Sequence, residues 1–232
     1  MPTRFNVSAP AQVGQTQLVV MTRQKSLAKL SDYIDDAAAA LKEARICLRD
    51  VDIALQAGVL SNEVLTLAEQ YFGVKKMAEG ELEVIKSVLN LTSTGLCCDV
   101  TLKVGDNVGR NDADVEGMVM RHQTQDGKEP LKKTKPWHDE VLAMDETGSY
   151  RTGAIHIRGG RLEQKGFGTK TLLHEATHKY AGTADRYYFE DDGKTMIDLD
   201  GKALTSPITD ELVGLINADS YAWFFCRLGR LL

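Results

Sequence analysis

His174-Glu175-Ala176-Thr177-His178 sets two imidazoles four residues apart with a carboxylate between them. On an α-helix that spacing puts both rings on one face, where they can aim at a single point. Two neutral imidazoles suit a zinc ion. Glu175 then stands beside the metal rather than on it, the place of a general base for an activated water. A zinc site that does chemistry takes a third protein ligand and keeps one position open. Asp185, just past Gly182, is the nearest candidate for that ligand; the alternative is that it caps the next segment or is simply solvated. Tyr187 and Tyr188 follow. A phenol near the metal would stabilise an oxyanion, and packing is the other use of either ring.

The elements that must position these groups are readable from periodicity. Two glycines punctuate the run from Lys165 to Leu173, Thr169 is a candidate N-cap, and Leu172 and Leu173 give the motif helix an apolar side. Gly182 stands where a left-handed residue would end that helix. Upstream, residues from Lys25 to about Gln56 carry an apolar stripe at spacings of three and four, including Leu27, Tyr33, Ala37, Leu41, Ala44 and Leu48. Shorter helices are predicted over Asn62 to Tyr71 and Glu79 to Leu91. Val100, Leu102 and Val104 alternate as a strand, and Val115 to Met120 is a weaker one. The Asp- and Asn-rich Gly105 to Asp114 between them lacks the spacing and terminal Glu of a calcium loop and reads as a hairpin turn. Gln123 to Pro136 reads as an exposed loop, and Trp137-His138-Asp139-Glu140 as surface. Gly153 to Arg158 is a short strand, Met196 to Leu204 a hairpin around Asp200-Gly201, and Pro207 to Leu231 a final helix. The fold class is therefore α+β. Residues 1–21, polar and punctuated by Gly and Pro, read as a flexible or extended arm, and 22–232 as one domain.

His174-Glu-x-x-His178, followed by Gly182-Thr183-x-Asp185-x-x-Tyr188, resembles the signature of the aspzincins, the deuterolysin and peptidyl-Lys family of zinc metallopeptidases. Asn217-Ala218-Asp219-Ser220-Tyr221, leading into an aromatic helix, is similar to a second block of that family, and the segment order is similar from about Ser26 onward. The resemblance implies a zincin-like domain: N-terminal helices, a small and mostly antiparallel sheet, the zinc helix and a C-terminal helix. It implies His174, His178 and Asp185 as zinc ligands, Glu175 as general base and Tyr188 as the donor to the transition state. It also implies that substrate pairs with the strand ahead of the zinc helix, which would bring His156 near the site. Asp219 would be an acid lining the pocket after the scissile bond, favouring Lys or Arg there. Two positions depart from the pattern. Phe189 replaces the usual Gly after the tyrosine, which leaves the choice between Tyr187 and Tyr188 open. Ala222 stands at the second pocket acid, which argues against strict lysine specificity.

Composition bounds the rest. The formal charge of −5 does not favour nucleic-acid binding, and no apolar run reaches membrane-spanning length. Cys47, Cys97, Cys98 and Cys226 have neither metal nor redox spacing; they are expected as buried free thiols, with one long-range disulfide as the alternative. The N-terminus lacks signal-peptide architecture, which points to the cytoplasm or to a non-classical route out of the cell. The expectation is a zinc endopeptidase acting on proteins or peptides, acting as a delivered effector or held latent, with secretion machinery or an inhibitor protein as a partner. The alternative is a silent binding module built round a structural zinc.

Overall fold

The computed structural model describes residues 5–106, 116–123, 149–204 and 211–232. The expected hairpin turn from Gly105 to Asp114, the loop from Gln123 to Pro136 and the segment Trp137 to Glu140 lie largely or wholly outside these.

Residues 5–23 are extended, as one of the two expectations had it, but they pair as a hairpin within the sheet rather than forming a flexible arm. β1 (Phe5–Val13) and β2 (Thr16–Arg23) pair antiparallel, and Thr16, Leu18, Val20 and Thr22 of β2 point inward and are buried. The boundary expected at residue 21 falls inside β2. β2 lies parallel to β3 (Val100–Gly105), with Leu18 opposite Val100. That pairing is so distant along the chain that local composition carries no trace of it.

Between β2 and β3 run three helices. A 3₁₀ turn, Gln24–Lys29, leads into α1 (Leu30–Leu55), whose Tyr33, Ala37, Leu41, Ala44, Leu48, Val51 and Leu55 form the buried stripe. α2 (Asn62–Phe72) starts at Ser61, whose side chain accepts from Val64 N, and stops at left-handed Gly73. α3 (Glu79–Cys97) continues past the expected end at Leu91.

β4 (Gly117–Gln123) and β5 (Ser149–Arg158) complete a five-stranded sheet of order β1-β2-β3-β5-β4. The two inner pairings are parallel and the two outer ones antiparallel, so the sheet is mixed rather than mostly antiparallel. β3 and β4 do not form the expected hairpin, because β5 inserts between them. The physical reason is apolarity: Ile155 and Ile157 of β5 are fully buried, whereas Met120 of β4 is exposed, so β5 takes the inner place and β4 the edge.

β5 runs into α4 (Gly159–Leu162) and then α5 (Phe167–Ala176), which continues as a π turn, Thr177–Ala181. α5 starts after Gly166, not at Thr169; the Thr169 hydroxyl sits inside the helix and donates to Glu43. β6 (Tyr188–Phe189) and β7 (Met196–Ile197) follow, and Met196 to Leu204 does fold back around Asp200-Gly201. The expected final helix is broken at Asn217 into α6 (Glu211–Ile216) and α7 (Ala218–Leu228).

α5 packs between the sheet and the helices α1 and α7. Below it lie Tyr221, Trp223, Phe224 and Phe225 of α7 with Tyr71 and Phe72 of α2, all buried. Side chains of this size stabilise by roughly 1.5–3 kcal/mol each when taken out of water, which fixes the floor beneath the motif helix. All four cysteines are free: Cys47 and Cys226 are buried, Cys97 is exposed and Cys98 is partly covered. Among the described residues no helix is long and apolar enough to cross a membrane.

Candidate metal centre

His174 and His178 straddle the change from α to π geometry, a widening that is common at functional sites. Gly182, at φ 71°, turns the chain back after the π turn, and the next residues return over the two histidines. Ala184 is bridged to the break between α6 and α7: its N–H donates to Ile216 O at 2.8 Å and its carbonyl accepts from Ala218 N at 2.9 Å. The fully buried Asn217 accepts from Arg186 N through its Oδ1 at 2.9 Å. Asp185 is thus pinned on both sides and aimed inward.

Three ligand atoms converge. His174 Nε2 and His178 Nε2 are 3.1 Å apart, and Asp185 Oδ1 lies 3.1 Å from the first and 3.0 Å from the second. Ligands bonded at about 2.0–2.1 Å to a tetrahedral zinc stand roughly 3.3 Å from one another, so the triangle is nearly the size the ion requires. The chemistry of the donors agrees. His178 Nδ1 is 2.7 Å from Thr183 O, a pure acceptor, and His174 Nδ1 is 3.2 Å from Asp219 Oδ1. With a cation bound and the rings neutral, both acceptors favour the ring proton on Nδ1 and leave the Nε2 lone pairs facing the cation. Such a cluster calls for a cation, and these three side chains are the group among the described residues that can hold one.

The electrostatics carry the same demand. Burial pushes the His174 imidazolium down, but the hydrogen bonds and charges of Asp185 and Asp219 outweigh it and raise its pKa to about 10. Burial likewise disfavours the Asp185 anion, and the two imidazoles reverse this and hold it well below the usual carboxylate range.

Glu175 is buried, its Oε1 4.0 Å from His174 Nε2. Burial raises its pKa, opposed by His174 and His178. The edge strand crosses directly above it. A β-carbon at Gly117 would come within 2.7 Å of Glu175 Oε1, so only glycine lets the backbone pass.

The two tyrosines separate cleanly. Tyr187 is buried, its hydroxyl 2.8 Å from Ser220 Oγ, and serves packing. Tyr188 is half-buried and stacks on His174, with centroids 6.0 Å apart and planes 28° apart. Burial and the nearby Asp185 and Glu175 anions hold its phenol protonated.

Asp219 is not a pocket acid open to substrate. It is fully buried beneath His174, with Lys170 Nζ 2.5 Å from its Oδ1 and the Phe189 N–H donating to its Oδ2 at 2.7 Å. Its charge is already used inside the protein, and Ala222 beside it is buried as well. His156 is also not a rim residue: it is buried on the inner strand β5, opposite Lys103 and Met118 in the neighbouring strands. The strand that passes against Glu175 is the edge strand β4, through Gly117.

The sequence assigned no individual role to four contributors. Lys170, one turn before His174, was hidden in an apparently polar helix start. Asn217 shows as a helix break only once its side chain is seen capping the Asp185 loop. Arg151, on β5, donates to Thr183 O at 3.0 Å and shares that carbonyl with His178. Gly117 matters only through what lies beneath it.

No family model matches the chain, and none of the curated proteins matches it. Among solved structures it is similar in fold to a zinc peptidase from Grifola frondosa, with a TM-score of 0.53 at 13% identity, over 84% of this chain and 94% of that one. The chain thus has an α+β fold shared with a zinc peptidase.

Proposed function

We propose that the chain is a zinc-dependent endopeptidase of the aspzincin type, with His174, His178 and Asp185 holding the metal. The observation that carries this reading is the convergence of two imidazole Nε2 atoms and one carboxylate oxygen within about 3 Å, with a buried Glu175 beside them. When bound, zinc supplies a Lewis acid that lowers the pKa of a coordinated water towards about 7 and polarises a carbonyl.

The chain's own residues supply the rest. Glu175 takes the proton of the attacking water and returns it to the leaving amine; its burial makes it a stronger base than an exposed carboxylate. Tyr188, kept protonated, donates a hydrogen bond to the oxyanion that develops on the carbonyl. The outer edge of β4 carries backbone groups with no strand beyond them among the described residues, and an extended peptide adds there as a further strand above Glu175. The fold similarity to a zinc peptidase supports the reading without fixing the substrate.

The test is metal analysis paired with a digest of denatured mixed protein. Wild type should bind one zinc and cleave, and Glu175→Gln should bind one zinc and lose turnover. Because Asp219 is enclosed and paired, the cut sites should show no enrichment of Lys or Arg after the scissile bond. Zinc without cleavage by wild type would favour a silent binding module, and cleavage by Glu175→Gln would remove the general-base assignment.

A further inference from the structure

Resting on the zinc-centre reading, we propose that Lys170 is a positioning residue for the metal ligand His174, acting through Asp219. The three side chains form one buried line. Lys170 lies one helical turn before His174 on α5, so both project toward α7. Its ammonium is 2.5 Å from Asp219 Oδ1 and sits over the Trp223 ring, 5.3 Å from its centroid. The same Oδ1 faces His174 Nδ1 at 3.2 Å. Asp219 Oδ2 takes the Phe189 N–H, which anchors the strand carrying Tyr188.

The charges explain why a lysine is needed there. Asp219 has no exposure to solvent, and a buried carboxylate requires a counter-charge. A metal ligand must be a neutral imidazole, so His174 can donate Nδ1–H to Asp219 but cannot also neutralise it. Lys170 supplies the missing cation at the same oxygen. Asp219 then remains an anion whose one task toward His174 is to fix the ring's orientation and proton position, leaving Nε2 free for the metal. Partners of this kind commonly change metal affinity by about 10–100-fold when removed.

The experiment measures zinc affinity by chelator competition, with thermal unfolding alongside, in wild type, Lys170→Met, Asp219→Asn and the double variant. Lys170→Met should weaken zinc binding about 10–100-fold. The double variant should bind zinc no more weakly than Asp219→Asn alone, because Lys170 acts only through the acid. If Lys170→Met does not fold, owing to the bare buried carboxylate, the double variant removes both charges and still permits the comparison with Asp219→Asn. Long-range nitrogen spectra of the zinc-bound proteins add a direct signature: His174 should hold its proton on Nδ1 in wild type and lose that ordered signal in Lys170→Met. Unchanged zinc affinity in Lys170→Met with only a lower melting temperature would overturn the proposal, as would an added loss of affinity in the double variant. A wild type that binds no zinc would instead overturn the metal-centre reading itself.

Discussion

At the scale of single residues, the centre separates neighbours that look alike in sequence. Tyr187 and Tyr188 are adjacent phenols, and the sequence leaves open which one meets the reaction. The backbone entering β6 turns the two rings apart, with Tyr187 against Ser220 and Tyr188 against His174, which favours Tyr188. Tyr188→Phe should therefore lower kcat by about 10²–10³, the usual loss for one oxyanion donor, with zinc content and melting temperature unchanged. Tyr187→Phe should do the opposite: it deletes a buried hydrogen bond, costs about 0.5–1.5 kcal/mol of stability, and leaves kcat near that of wild type. Steady-state kinetics and thermal unfolding on the two variants read the distinction. Equal kcat losses in both would remove Tyr188 from its role. His174, Glu175 and His178 were legible at this scale because a helix turns sequence spacing directly into geometry. Asp219 was legible as an important acid but not in its role, because its partner Lys170 meets it only after α5 packs on α7.

At the scale of elements, local patterns held and distant pairings did not. The stripe on α1 and the glycine that ends the motif helix follow from rules that act within a turn or two. The sheet order does not. β3 and β4 are neighbours in sequence, yet β5 separates them, and β2 reaches past three helices to pair with β3. What decides these pairings is the competition among strands for the buried places, which no window of sequence contains. The consequence for the site is that β4 lies against Glu175, tied down by Arg161, which bridges Glu116 just before that strand and Asp191 beyond β6. Gly117→Ala should therefore act at the element level. The added methyl meets the Glu175 side chain from above, and neither the strand nor the buried helix beneath can yield freely. Turnover should fall by about 10²-fold, as expected for a catalytic group displaced by around 1 Å, while zinc stays bound. Full activity in this variant would mean that β4 does not constrain Glu175.

At the scale of the whole molecule, the centre is a cross-link. Its three candidate ligands come from α5, from the π turn, and from a loop stitched to the junction of α6 and α7. A metal held by all three exists only in the folded chain, so its binding free energy adds to folding stability. With free zinc at 100 times its dissociation constant the gain is about 2.7 kcal/mol. In a chain of this size 1 kcal/mol moves the melting temperature by about 2–4 °C, so stripping zinc with a chelator should lower it by roughly 5–10 °C. Readdition should restore it. Glu175→Gln should show the same shift, because Glu175 stands outside the His174–His178–Asp185 group, whereas Asp185→Ala should show little or none. The pattern across the three proteins matters more than the size of any one shift, since surface zinc would move all of them alike. A shift that survives in Asp185→Ala would place the metal elsewhere on the molecule, and a shift lost only in Asp185→Ala would tie folding and metal to the same three side chains.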